Sequence, residues 1–279
     1  DATTTTAAEL TTINGKTTAA IDASAITALA SDTIDNIKTL LTAGNDTDQF
    51  TAASFGSLTA VTVSDDGTLD GSKLAAAIDE ANEATDDTSV EFDISAANTI
   101  EGSEANFTAL LTDDGNGQID IDAQDITVTG QISVDNANLL DAATDGTITA
   151  SIDTTEDVDE LKTLTGTTHA YTIVIADGDA TTTTAAELTT INGKTTEAID
   201  ASAITALASD TIDNIKTLLT AGNDLEQFTA ASFGSLTEVT VSDQTLDGSK
   251  LADAIDQANT ATDDTSVVFD ISAANTIEG

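Results

Sequence analysis

Short runs in which Ile, Val or Phe alternate with Thr, Asp or Glu recur along the chain, at residues 20–22, 61–63, 90–94, 118–121, 147–149, 171–175 and 198–200. Alternation of this kind, bounded by Gly, Asn and Asp, has the period of a half-buried strand. The runs are spaced by about 24 to 31 residues, except for a gap of about 40 after Ile21. That gap predicts an extra turn or strand around Phe50 and Phe55. Between the runs lie amphipathic segments, at 31–41, 72–81, 103–110, 135–142, 156–164 and 183–191, with Leu and Ile at helical spacing. Most open on a residue that can cap, such as Ser31, Ser72 or Ser103, and the first closes at Gly44. Each reads as a capped helix of two to three turns.

A strand, a turn, a short helix and another strand imply parallel pairing with the helices along one side. Repeated in tandem, such units bury their apolar faces only against one another. The expected fold class is therefore α/β, as a repeat solenoid of strand–turn–short-helix units with a parallel sheet. Tandem β-sandwich domains are the alternative, and the capped helical segments argue against them.

A longer period lies over the short one. Residues 179–279 repeat residues 1–102 with an offset of 178 as far as Asp65/Asp243, and of 177 after one residue is lost near Gly67. Nine substitutions separate the copies, among them Ala19/Glu197, Ala60/Glu238, Ala76/Asp253, Glu80/Gln257 and Glu83/Thr260. These exchange small or charged groups while the Ile, Leu and Phe between them match, so the substituted positions are expected at the surface. The organisation read here is a first long repeat at 1–178, of about six strand–helix units, and a partial second copy at 179–279. The cut through the second copy leads us to expect a longer parent chain.

Composition changes the picture through charge. Fifty acidic residues stand against seven lysines and no arginine, for a net charge of −43. Electrostatics on that scale exclude nucleic acid and anionic membranes as partners and favour cations. Self-repulsion becomes tolerable where salt is abundant, since the Debye length falls to roughly 3 Å at 1 M. Cys, Met, Trp and Pro are absent. No disulfide or thiolate metal site is available, and the composition suits an exposed extracellular protein. No run approaches the roughly 20 apolar residues of a membrane helix, so no membrane insertion is expected.

Catalysis has few parts to work with. The single histidine is His169, and there is neither Cys nor Arg to complete a nucleophile–base pair or a phosphate clamp. The expectation is that the chain is not an enzyme. The informative carboxylates close the β-runs: Asp22, Asp65, Asp93, Asp120 with Asp122, Asp153, Asp177 with Asp179, and Asp200. Stacked about 4.8 Å apart they would form a column of like charge. Such a column binds cations such as Ca²⁺, which takes six to eight oxygens, or else each Asp forms a local Asx-turn or helix cap. The segment from Asp113 through Asp114, Asn116 and Gln118 to Asp120 and Asp122 resembles the start of a calcium loop. It has oxygen-bearing side chains at alternate positions, but Asp125 stands where an EF-hand places Glu. Asp113, Asp114, Asn116, Gln118, Asp120, Asp122, Asp125, Asp177 and Asp179 are the candidate Ca²⁺ ligands.

The phrases at 164–173, 186–194 and 199–204 look like repeats from giant acidic cell-surface proteins of bacteria, of the RTX-adhesin or marine cyanobacterial surface-motility type. That resemblance implies a protein exported to the cell surface, stabilised by calcium, and serving in surface layers, adhesion or motility. The glycine-rich RTX nonapeptide itself is missing. The expected function is an extracellular structural repeat protein of a filament or surface coat, self-associating head to tail. An adhesin stalk that binds a glycan or another cell is the alternative.

Overall fold

A computed structural model describes residues 5–52, 54–85, 89–176, 179–230, 232–262 and 267–279. The chain is α/β, and all of the strand pairs described below are parallel. It divides into two compact units, Asp1–Gly130 with Leu139–Ile148, and Gln131–Asn138 with Thr149–Gly279.

In the first unit, α1 (Ala7–Asn14) is followed by β1 (Ala28–Asp32) and α2 (Ile34–Gly44). Next come β2 (Ala60–Val63), β3 (Gly67–Asp70) and α3 (Gly71–Thr85), then β4 (Glu91–Asp93), β5 (Ala97–Gly102) and α4 (Glu104–Gly115). The boundary between the units falls within β6 (Asp125–Ile132) and α5 (Val134–Ala143). Two ladders result. One runs β1-β2-β4 and aligns Leu29, Val61 and Phe92; the other runs β3-β5-β6 and aligns Leu69, Ile100 and Ile126. All six are at most 1% exposed. Like side chains therefore stack along each ladder, and each large apolar group buried this way contributes roughly 1.5–3 kcal/mol.

Helices pack on helices in chain order, α1 on α2, α2 on α3 and α3 on α4. The buried stripe of α2 is Ile34, Ile37, Leu40 and Leu41; that of α3 includes Leu74, Ala77, Ile78 and Ala81. The α3 set falls at i, i+3, i+4 and i+7 and the α2 set at i, i+3, i+6 and i+7, each one face of an amphipathic helix. The starts are fixed locally: Thr6 with Glu9, and Ser103 with Asn106, form capping boxes at α1 and α4. Gly44 ends α2 beneath Phe55, where an added Cβ would lie 2.6 Å from the ring. Phe55 in turn packs on Phe50 with ring centroids 5.3 Å apart.

The second unit holds β7 (Ile148–Ile152), whose first residue belongs to the first, α6 (Val158–Leu161), β8 (Ala170–Thr172) and α7 (Ala185–Asn192). After them come β9 (Ala206–Asp210), α8 (Ile212–Gly222), β10 (Glu238–Val241), β11 (Thr245–Asp247), α9 (Gly248–Thr262), β12 (Val268–Asp270) and β13 (Thr276–Glu278). The order from α7 to β13 repeats that from α1 to β5. The register repeats too, with Leu207, Val239 and Phe269 aligned, and Leu246 beside Ile277.

Several expectations need correction. Between α2 and α3, and again between α3 and α4, the chain makes two strands where the hydrophobic pattern suggested one. β1, β3 and β5 each run directly into a helix start, and the capping residues there mask the short apolar alternation. Residues 118–121 are a loop, although the Phe92 amide donates to the Gln118 carbonyl at 2.7 Å; the strand lies later, at β6. The run at 20–22 is a single bridge, Ile21 to Phe50, so the extra pairing expected near Phe50 is present. The segment 156–164 shrinks to the one turn of α6. No substituted position described here is buried.

Candidate functional site

The expected calcium loop begins in the last turn of α4 and ends on β6. Asp113 is half-buried, and burial together with the charge of Asp79 pushes its carboxyl up to about 6. Asp114 is also raised, by burial first and then by Asp120 and Asp122; its Oδ1 accepts from the Ile121 amide at 3.2 Å. Asn116 caps the helix C-terminus through its own amide, which donates to the Thr112 carbonyl at 3.0 Å. Gln118 turns inward, 1% exposed, and its Nε2 donates to Asn82 Oδ1 at 2.7 Å. Asp120 Oδ1 accepts the Asp122 amide at 3.0 Å, and Asp125 Oδ1 accepts the Thr147 amide at 2.7 Å. The Asp122 carbonyl accepts the Asp145 amide at 2.8 Å.

The loop thus brings Asp114, Asp120 and Asp122 near one another, sends Gln118 into the core and ties Asp125 to Thr147, the residue before β7. Among the described residues, no group of three or more His, Cys, Asp or Glu is placed to hold a metal ion. Asp177 lies outside the described residues. Asp179 is distant in sequence from the loop; burial raises its carboxyl, which accepts the Val158 amide at the start of α6.

Four of the other strand-end carboxylates make local turns. Asp22, Asp93, Asp153 and Asp200 each accept, through Oδ1, the amide two residues on, from Ser24, Ser95, Thr155 and Ser202 at 2.9–3.0 Å. These are Asx-turns. The hydrogen bonds hold Asp22 and Asp93 below the usual carboxylate range.

A second set of carboxylates, not singled out as a group by spacing, reaches back to the start of a helix earlier in the chain. Asp32 Oδ2 accepts the Ala8 amide at 2.7 Å, and Asp65 Oδ2 accepts the Ile34 amide at 2.7 Å. Glu156 Oε1 takes the Val134 amide at 3.0 Å, and Asp210 and Asp243 take those of Ala186 and Ile212 at 2.8 and 2.7 Å. With Asp179 on Val158, six helix N-termini carry a carboxylate from a residue 21–31 positions later. Each satisfies an orphan amide and places negative charge at the positive end of a helix. The sequence signal was the Asp closing the run just before a cap, as in Asp32-Thr33; the partner amide, distant in sequence, left no local mark.

Two grooves recur at matched positions. One, of about 350 Å³, is lined by Thr68, Asp70, Ser72, Glu101, Ser103 and Asn106, where β3 and β5 meet α3 and α4. The other, of about 370 Å³, is lined by Thr245, Asp247, Ser249 and Glu278. Their polar groups serve the helix starts: Asp70 Oδ1 accepts from the Ser72 amide and hydroxyl and from the Lys73 amide. His169 is 3% exposed and lies 5.3 Å from the Tyr171 ring. Among the described residues no helix is long and apolar enough to cross a membrane.

No match emerges from comparison with protein-family models, curated proteins or solved structures.

Proposed function

We propose that the chain is a section of an extracellular structural array, an α/β solenoid whose turns stack through parallel strands and whose role is to build a filament or surface coat. The observation that supports this most is the identical element order and strand register of the two copies: Leu29, Val61 and Phe92 in one, Leu207, Val239 and Phe269 in the other. A unit that pairs on both sides through equivalent strands can be extended without limit by adding another. The helix-capping carboxylates fit the same reading, because each belongs to a different turn from the amide it satisfies.

The net charge of −43 makes cations the natural counterpart of such an array. We assign the cation requirement to the summed charge and its screening, with Ca²⁺ acting as a dense counterion and without a coordinated cage. Negative-stain electron microscopy of native cells, labelled with antibodies raised against this chain, tests the role. Label in regular rows along extended surface structures is expected; label confined to the cytoplasm, or to dispersed particles, would contradict it.

A further inference from the structure

The first helices of the two copies have the same sequence and are covered differently. Ile191, Ile199 and Ile204 of the second copy are 0% exposed. Their counterparts Ile21 and Ile26 are half-buried, and Ile13 is 53% exposed. Around Ile13, the side chains of Thr5, Ala8, Glu9 and Thr12 line an open groove of about 470 Å³.

At the second copy α6 packs on α7, and the segment 169–175 pairs with the residues that follow α7. The Tyr171 amide donates to Thr195 Oγ1 at 3.0 Å, and that hydroxyl donates back to the Tyr171 carbonyl at 2.7 Å. The Thr196 amide donates to the His169 carbonyl at 2.9 Å. The Asp200 amide donates to the Ile173 carbonyl at 3.0 Å, and the Ile175 amide to the Asp200 carbonyl at 2.8 Å. At the edge, Lys162 Nζ lies 2.6 Å from Glu187 Oε1. Tyr171, Ile173 and Ile175 are each at most 1% exposed beneath these bonds. At the offset of 178, the first copy carries Glu9, Thr17, Thr18 and Asp22, so every group that holds the strand in the second copy is duplicated.

We propose that the face formed by α1 and residues 17–26 is the docking site for a strand of the sequence 169–175, supplied by another copy of the long repeat, with Tyr171 against Thr17 and Val174 against Asp22. Main-chain bonds to Asp22 supply affinity, the half-buried Ile21 and Ile26 favour apolar side chains on the incoming strand, and Ile13 and Glu9 receive the short helix and lysine that precede it. This rests on the array reading and adds to it the identity and register of the partner.

The test uses the full chain with a synthetic peptide of residues 158–176, and a second form in which residues 149–178 are joined ahead of Asp1 to remove the ordering cost of a free peptide. Hydrogen exchange at the Thr18 and Asp22 amides is followed residue by residue. Exchange at both is expected to slow about tenfold or more on saturation, and Ile13→Glu to weaken peptide binding about tenfold or more. A peptide of the same composition in scrambled order is expected to do neither. The proposal is overturned if neither form slows exchange at Asp22, if the scrambled sequence does as well, or if the chain protects this face by pairing through another surface. Filaments seen on cells without this docking would sink the present inference alone; docking without filaments would sink the proposed role alone.

Discussion

The charge of Asp113 is at odds with its half-buried place. Burial and the charge of Asp79 hold its carboxyl near 6 in the folded chain, against roughly 3.9 when unfolded. The native state therefore binds the proton more tightly, so this contribution to stability is fully present below about pH 4 and is lost as the pH rises through 6. Allowing for solvent screening at a half-exposed group, the loss is about 1 kcal/mol. Asp113→Asn should remove that loss and leave the variant more stable than the parent at pH 8, by urea denaturation. A variant less stable at pH 8 would show that the carboxylate makes a favourable contact there. Asp32 has the opposite sign: burial pushes it up, but hydrogen bonds from Asn36, Ala8 and Thr33 outweigh this and hold it low. Its stabilisation is lost as the pH falls through the lowered value, so the chain should weaken again in strong acid. The capping carboxylates are open to the same method. Asp65→Ala leaves the Ile34 amide without its 2.7 Å acceptor and should cost about 1 kcal/mol, as should Asp243→Ala at Ile212. A loss below a few tenths of a kcal/mol in both would mean that water replaces the cap at no cost.

At the scale of elements, the helices were the most legible part of the sequence. Leu and Ile at 3.6-residue spacing between capping residues located α2, α3, α4, α5 and α7 to within a few residues. Strands fared worse because most are three to five residues long and stop where a helix begins. β1 carries only Leu29 as a large buried residue, too little alternation to register as a period. In the candidate metal loop, alternate oxygen-bearing side chains also describe a helix end followed by a buried amide and an Asx-turn, which is what Asn116, Gln118 and Asp120 make. The differences between copies show how much an element tolerates. Ala76/Asp253 adds an ion pair to Lys216 at 2.7 Å, and Glu80/Gln257 keeps an oxygen for Asn45 or Asn223 at 2.7 Å. Nothing in the structure explains the exposed Leu225 and Val268 that replace Thr47 and Glu91. Gly67, with φ of +87°, sits at the start of β3 and is the residue missing before β11. Replacing Asp66-Gly67 by Gln should therefore change stability by no more than about 0.5 kcal/mol. Gly44→Ala should cost about 1–3 kcal/mol, because the new methyl meets the Phe55 ring.

At the scale of the whole molecule, charge and repetition work against each other. A net charge of −43 favours expansion, while the stacked Leu, Val, Ile and Phe columns and the carboxylate caps favour the ordered chain. Raising NaCl from about 0.05 to 0.5 M shortens the Debye length from roughly 14 Å to 4 Å and should raise the melting temperature steeply. CaCl₂ at matched ionic strength should add a smaller gain, and Asp114→Asn with Asp120→Asn should leave that gain unchanged. Loss of the calcium gain in that double variant would restore a coordinated site to the loop. Extension of one continuous array by the long repeat is measurable by small-angle X-ray scattering at high salt on this chain and on the same chain lengthened by one more 178-residue repeat. At about six turns per repeat and about 4.8 Å per turn, a continuous array should lengthen its maximum dimension by roughly 30 Å with an unchanged cross-sectional radius. A changed cross-section, or a distance distribution with the separate maxima of tethered bodies, would contradict it.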